Sequence, residues 1–260
     1  MRGLITILFV LVTACAGHGA RAAETDVGVV LLHGKGGLPS GNIRELAGAL
    51  QSKGYLVSAP TMPWAKDRIY DASYEDAMGE IDRELETLRQ KGAKLVVVAG
   101  HSLGANVALG YGARRSGLGG IIALAPAHSP ESPIFSKRIG SDVKRARGLV
   151  AAGKGKEKQP FSDLNQGSLM EVNATAEVYL SWLDPDGPAV MPRSAAAFKA
   201  PTPLLIVNGS GDRTAAGKDY IFDKAPPHPK SSFIIVSTDH FSVPSAAIEE
   251  VAAWLAALPR

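Results

Sequence analysis

Short apolar runs alternate along this chain with longer stretches in which apolar residues recur every three or four positions. The runs at 27–32, 55–59, 94–99, 120–125, 203–207 and 232–236 are rich in Val, Ile and Leu. Runs of that length and branching, bounded by Gly, Pro, Ser or Asp, predict strands. Helical spacing appears at 42–53, 75–91, 104–115, 218–225 and 244–257. In the second of these, Glu80, Arg83, Glu84, Glu86 and Arg89 make a solvated face opposite the apolar one. Strand–helix alternation predicts βαβ units, hence a mainly parallel sheet of about six strands flanked by helices.

Residues 127–200 break this rhythm. The stretch is too long for one crossover and reads as a lid-like helical insertion after the fourth strand. It holds a basic helical piece at 136–152, a Gly- and Lys-rich loop at 153–160, and a second helical piece at 173–183. That piece stops at Asp184-Pro185-Asp186-Gly187-Pro188. Phe161, Leu169, Tyr179 and Trp182 either line an apolar substrate cleft or pack the insertion onto the domain.

The N-terminus follows a different pattern. Met1-Arg2 is a short positive start, an apolar stretch too short to span a bilayer follows, and Ala20-Arg21-Ala22 offers a small-x-small cleavage site. Residues 1–23 therefore read as a signal peptide, and 24–260 as one α/β domain. A second reading competes: Val12-Thr13-Ala14-Cys15 resembles a lipoprotein box, which would lipidate Cys15 and anchor the chain to a membrane. Either way the protein is expected to be exported, to the periplasm or beyond. Cys15 is the only cysteine, so no internal disulfide is possible.

Composition narrows the function. Hydrophobic residues make up 45% of the chain, enough for a sizeable core. The formal charge is +3, and two of the 28 basic residues, Arg2 and Arg21, lie in the leader. No basic face dominates, and nucleic acid is not an expected partner. The six histidines (His18, His33, His101, His128, His228 and His240) show no ligand spacing. Gly34-Lys35-Gly36-Gly37 lacks the spacing of a dinucleotide fingerprint. No cofactor and no metal are expected.

The chemistry lies just past three of the strands. Gly100-His101-Ser102-Leu103-Gly104 follows the run 95–99 and opens onto a helical pattern. This is G-x-S-x-G in strand–turn–helix context, the setting of a nucleophile elbow. Asp212 follows the strand at 203–207, and His240 follows that at 232–236. Ser, then acid, then His, each beyond a strand's C-terminal end, is the order and placement such a hydrolase needs. Asp184 is a rival acid, but it sits in the insertion with no strand before it.

With these residues the chain resembles the α/β-hydrolase superfamily from about Val27 to the C-terminus. The apolar strand ending in His33-Gly34 adds to the likeness. The resemblance implies a nucleophile Ser102, an acid Asp212, a base His240, and an oxyanion hole from the backbone N–H groups of Leu103 and Lys35. His33 reads as shaping the loop. The Lys35 side chain either reaches solvent or favours an anionic substrate. The implied activity is hydrolysis of an ester or thioester of a small molecule, as in a carboxylesterase or lipase-like serine hydrolase. The same fold serves peptidases and cofactor-free haloperoxidases, and a non-catalytic exported binding protein is the reading from another class.

Overall fold

A computed structural model describes residues 26–215 and 217–259, so the expected signal peptide and Cys15 lie outside the described residues. The chain runs β1 (Val27–Leu32), α1 (Arg44–Ser52), β2 (Leu56–Ser58), α2 (Tyr74–Gln90), β3 (Leu95–His101), α3 (Leu103–Arg114) and β4 (Gly120–Leu124). The insertion follows: α4 (Pro133–Ala151), β5 (Lys158–Asn165), β6 (Ser168–Thr175), α5 (Ala176–Leu183) and α6 (Met191–Ala196). Then come β7 (Leu204–Gly209), β8 (Ser232–Val236), α7 (Val243–Ala246) and α8 (Ile248–Ala256).

Six strands form one sheet in the order β2-β1-β3-β4-β7-β8, and every pairing is parallel. This is the α/β-hydrolase fold. Alternate side chains of each strand serve two cores. Val30, Leu32, Val96 and Val98 face one, while Val27, Val29, Leu31, Val97 and Ala99 face the other. Burial on both faces explains why these strands read as unbroken apolar runs. Helix α2 buries Tyr74, Ala77, Met78, Ile81, Leu85 and Leu88, the spacing of one helical face. Its start is fixed by a capping box: Ser73 accepts from Asp76 N–H at 3.1 Å, and Ser73 N–H donates to the Asp76 carboxylate at 3.0 Å.

Four elements differ from the sequence expectation. Residues 158–175, of which 158–160 are expected in a loop and 173–175 in a helix, form an antiparallel hairpin that pairs Lys158 with Thr175 and Asn165 with Ser168. The insertion is thus a hairpin packed among three helices rather than purely helical. Gln166 and Gly167 both take positive φ, 49° and 81°, the geometry that a two-residue hairpin turn demands. Helix α5 starts later than expected because Thr175 ends the strand and caps the helix through Val178 N–H. The helix expected at 218–225 is only a 3₁₀ turn, Phe222–Lys224. Pro226 disfavours helical backbone at Ala225, and the segment is too short to hold a helix by itself. The final helix is split at Ala247 into α7 and α8.

Phe161, Tyr179 and Trp182 are buried in the core, with Phe161 stacked on Tyr179 at 4.3 Å between ring centres. Leu169 is exposed on the hairpin. The three aromatic residues bind the insertion to the domain instead of lining a cleft, and Leu169 does neither.

Candidate active site

Ser102 sits between β3 and α3 with φ 57° and ψ −118°, a backbone that a residue with a Cβ rarely adopts. Its N–H donates to Leu124 O at 2.9 Å, and its carbonyl accepts from Ala105 N–H at 3.0 Å, so neighbouring strand and helix hold the strain in place. The turn closes only over glycine. A Cβ on Gly100 would lie 2.2 Å from the backbone of Gly104, and one on Gly104 would lie 2.5 Å from Leu32 O.

The three side chains singled out in the sequence meet here. Asp212 lies beyond β7 and His240 beyond β8, and both loops reach across β4 to Ser102. The Ser102 hydroxyl is 3.1 Å from His240 Nε2. On the far side of the ring, His240 Nδ1 is 2.6 Å from Asp212 Oδ2. Because the carboxylate accepts, Nδ1 carries the proton and Nε2 is left to accept from the serine. Asp212 Oδ1 also accepts from the N–H and hydroxyl of Thr214, at 2.8 and 2.7 Å. Burial pushes the Asp212 carboxyl up, but the bonds from Thr214 and His240 outweigh it and hold the group below the ordinary carboxylate value.

His101 holds His240 from behind. Its Nε2–H donates to the His240 carbonyl at 2.9 Å, and the two rings lie 5.1 Å apart. Burial lowers the His101 pKa to about 4, which keeps it neutral at pH 7. His33 shapes the neighbouring loop: its Nε2 accepts from Met62 N–H at 3.1 Å, and its Nδ1–H donates to Gly34 O at 2.8 Å. Asp184 is far from this cluster and pairs with Arg147 at the surface of the insertion.

Lys35 corrects the sequence reading. Its side chain neither reaches solvent nor stands free for an anion; it is buried against Asp163, Nζ to Oδ2 at 2.7 Å. No pattern in the sequence joins these two residues, which are 128 positions apart. Asp163 and the hairpin tip are therefore parts of the site that the sequence did not disclose. The tip's one local signal is Asn165-Gln166-Gly167, a turn sequence set among polar neighbours that give it no contrast.

Two hollows open on Ser102. One, about 350 Å³, is walled by Leu103, Ala127, Phe135 and Leu164; the other, about 250 Å³, by Leu38, Asn42, His101 and Phe241. Lys35 and Leu103, the expected oxyanion donors, both line the larger one. Among the described residues, no three His, Cys, Asp or Glu side chains gather as a metal site requires.

A hydroxyl, an imidazole and a buried carboxylate in this chain of hydrogen bonds can pass a proton from oxygen to nitrogen while the carboxylate steadies the resulting charge. Comparison with known proteins agrees with the fold. A sequence model described as "Alpha/beta hydrolase family" matches residues 29–254. No curated protein matches the chain significantly. Among solved structures, a metagenome-derived lipolytic enzyme from the study of LipS and LipT superposes with a TM-score of 0.63 at 16% identity, covering 90% of this chain and 94% of that one. A monoacylglycerol lipase from Paleococcus ferrophilus gives 0.58 at 22% identity, covering 87% and 94%. The thioesterase domain from the curacin biosynthetic pathway gives 0.55 at 16%, covering 88% and 90%. At such identities the likeness speaks for the fold.

Proposed function

The chain belongs to the α/β hydrolase family, and from that premise we propose that it is a serine hydrolase cleaving ester or thioester bonds of small molecules through an acyl-enzyme. The observation that carries the proposal is the linear relay from Ser102 through His240 to Asp212, set at a strained elbow.

In this mechanism Ser102 Oγ attacks the carbonyl carbon while His240 Nε2 takes the hydroxyl proton. Asp212 keeps the ring in the tautomer that can accept it, then faces the imidazolium. Negative charge develops on the former carbonyl oxygen. The backbone N–H groups of Leu103, at the start of α3, and of Lys35, past β1, receive it. Such a donor lowers the barrier by ~3–4 kcal/mol, and the helix terminus adds a favourable field. His240 then returns the proton to the leaving alcohol or thiol. In the second half-reaction water attacks the acyl-enzyme, again losing its proton to His240, and Ser102 is released.

The test is a panel of p-nitrophenyl esters and thioesters run with the wild type and Ser102→Ala. Turnover by the wild type that vanishes in the variant supports the reading; no turnover anywhere on the panel contradicts it. The leader sequence supports a second element of the proposal, export with removal of residues 1–23 or lipidation at Cys15. Mass spectrometry of the mature N-terminus decides between the two, and an intact Met1 rules out both.

A further inference from the structure

The buried ion pair between Lys35 and Asp163 joins the loop beside Ser102 to the hairpin of the insertion. Its geometry is complete on both sides. An ammonium has three donors, and those of Lys35 go to Asp163 Oδ1 at 2.8 Å, Asp163 Oδ2 at 2.7 Å and Leu164 O at 3.0 Å. Asp163 Oδ1 also accepts from Leu164 N–H at 2.6 Å, and Oδ2 from the Tyr70 hydroxyl at 2.8 Å. The two side chains are 6% and 0% exposed. A pair this deep contributes less stability than apolar side chains of the same volume would, because both charges give up their hydration. What it does supply is a fixed direction. It sets the height and angle of β5 over the loop that follows β1, and the hairpin turn begins three residues after Asp163.

That turn lies over the serine. Asn165 and Gln166 line both hollows, as do Lys35 and Ser102 themselves. The hairpin tip thus divides one cleft into two chambers of unequal size that share the nucleophile. Both chambers mix apolar and polar walls, Phe135 and Leu164 with Thr214 in the larger, Leu38 and Phe241 with Asn42 in the smaller, so what separates them is size, about 350 against 250 Å³.

We propose that Lys35 and Asp163 are positioning residues whose ion pair fixes the hairpin tip as a partition, so that the enzyme sorts the two sides of an ester by size. The substrate class is then an ester with one large and one small substituent, accepted in one orientation about the carbonyl. The inference rests on the hydrolase reading above.

Isomeric esters test it. Methyl octanoate and heptyl acetate have the same atoms and differ in which side of the carbonyl carries the long chain. The partition predicts that wild-type kcat/KM differs at least tenfold between them. Removing either partner alone would strand a buried charge and risk unfolding, so both are replaced in Lys35→Met/Asp163→Leu. In this variant, shown to be folded by its melting transition, the ratio of the two kcat/KM values should shrink to less than threefold. The ratio is internal to each protein, so a general loss of activity does not move it. An unchanged ratio in the folded variant overturns the proposal. Hydrogen exchange on the unsubstituted protein is a second arm that needs no variant: the amides pairing β5 with β6 should exchange as slowly as those of β3. Exchange of the hairpin within seconds, beside a protected β3, overturns it as well. Should the wild type hydrolyse neither isomer, the p-nitrophenyl panel separates the two readings: turnover there keeps the hydrolase and overturns the partition, whereas no turnover there overturns the hydrolase reading itself.

Discussion

Replacing Gly104 by alanine adds one methyl group at the most crowded point of the elbow. The new Cβ would stand 2.5 Å from Leu32 O and 2.7 Å from His33 O. Real contacts of this kind do not fall below 3.0 Å, so backbone must move by about half an ångström. Both atoms belong to backbone at the end of β1, and the displaced segment runs straight into Gly34 and Lys35. Alanine in a helix is worth ~1 kcal/mol over glycine, whereas overpacking costs ~1–3 kcal/mol. The net effect is a loss of up to about 2 kcal/mol, or up to about 8 °C in melting temperature for a domain of this size. Catalysis should suffer more than folding, since a shift of this order in a positioning group costs ~10–100-fold in rate, or about 1.4–2.7 kcal/mol of barrier. The assay is steady-state hydrolysis of a p-nitrophenyl ester beside a thermal melt. Gly48→Ala is the control: nothing lies within 4 Å of its added Cβ, so it should melt slightly higher and keep its kcat. Gly104→Ala with wild-type kcat would refute the claim that the elbow's spacing against β1 sets the reaction geometry.

Other consequences are direct. Asp212→Asn removes the acceptor that fixes the His240 tautomer, and kcat should fall by about 10⁴ with little change in melting temperature; retention of a tenth of the activity would assign the acid's role elsewhere. Stability should also rise with pH between about 4 and 6.5. His101 and His128 are pushed down by burial to about 4 and about 3, so below the ordinary 6.5 the unfolded chain binds protons that the folded one refuses. Their contribution is complete above 6.5 and is lost as pH falls through that window. Urea midpoints measured across it should climb, and His128→Gln, which keeps a donor for Trp182 O, should flatten the slope; a slope unchanged by the substitution would contradict the assignment. Asp212 acts at lower pH. Its folded value lies below the ordinary one, so its contribution is complete above the ordinary carboxylate range and declines as the solution is acidified below it.

What the sequence disclosed follows from what is local. The strands of the sheet are buried on both faces and show as apolar runs, and the elbow is a contiguous turn whose glycines are dictated by contacts at 2.2 and 2.5 Å. Asp212 and His240 were legible because each comes shortly after such a strand. The hairpin was not. Its buried positions in β6, Val172 and Ala174, alternate with exposed Glu171 and Asn173 for only a few residues, and Pro160 on the partner strand argues against a ladder. The Lys35–Asp163 pair depends on where the hairpin docks, which no local pattern encodes. The same holds for Phe161, Tyr179 and Trp182: aromatic residues in an insertion suit a cleft or a core equally, and only packing decides between them.

The account stands on Ser102 as the nucleophile, and the most direct measurement is the site of covalent capture. Wild-type protein treated with a fluorophosphonate, digested and mapped by mass spectrometry should carry one adduct, on the peptide containing Ser102, and the Ser102→Ala protein none. An unmodified wild-type protein, or an adduct on Ser129 or Ser132 in the wall of the larger chamber, would contradict it.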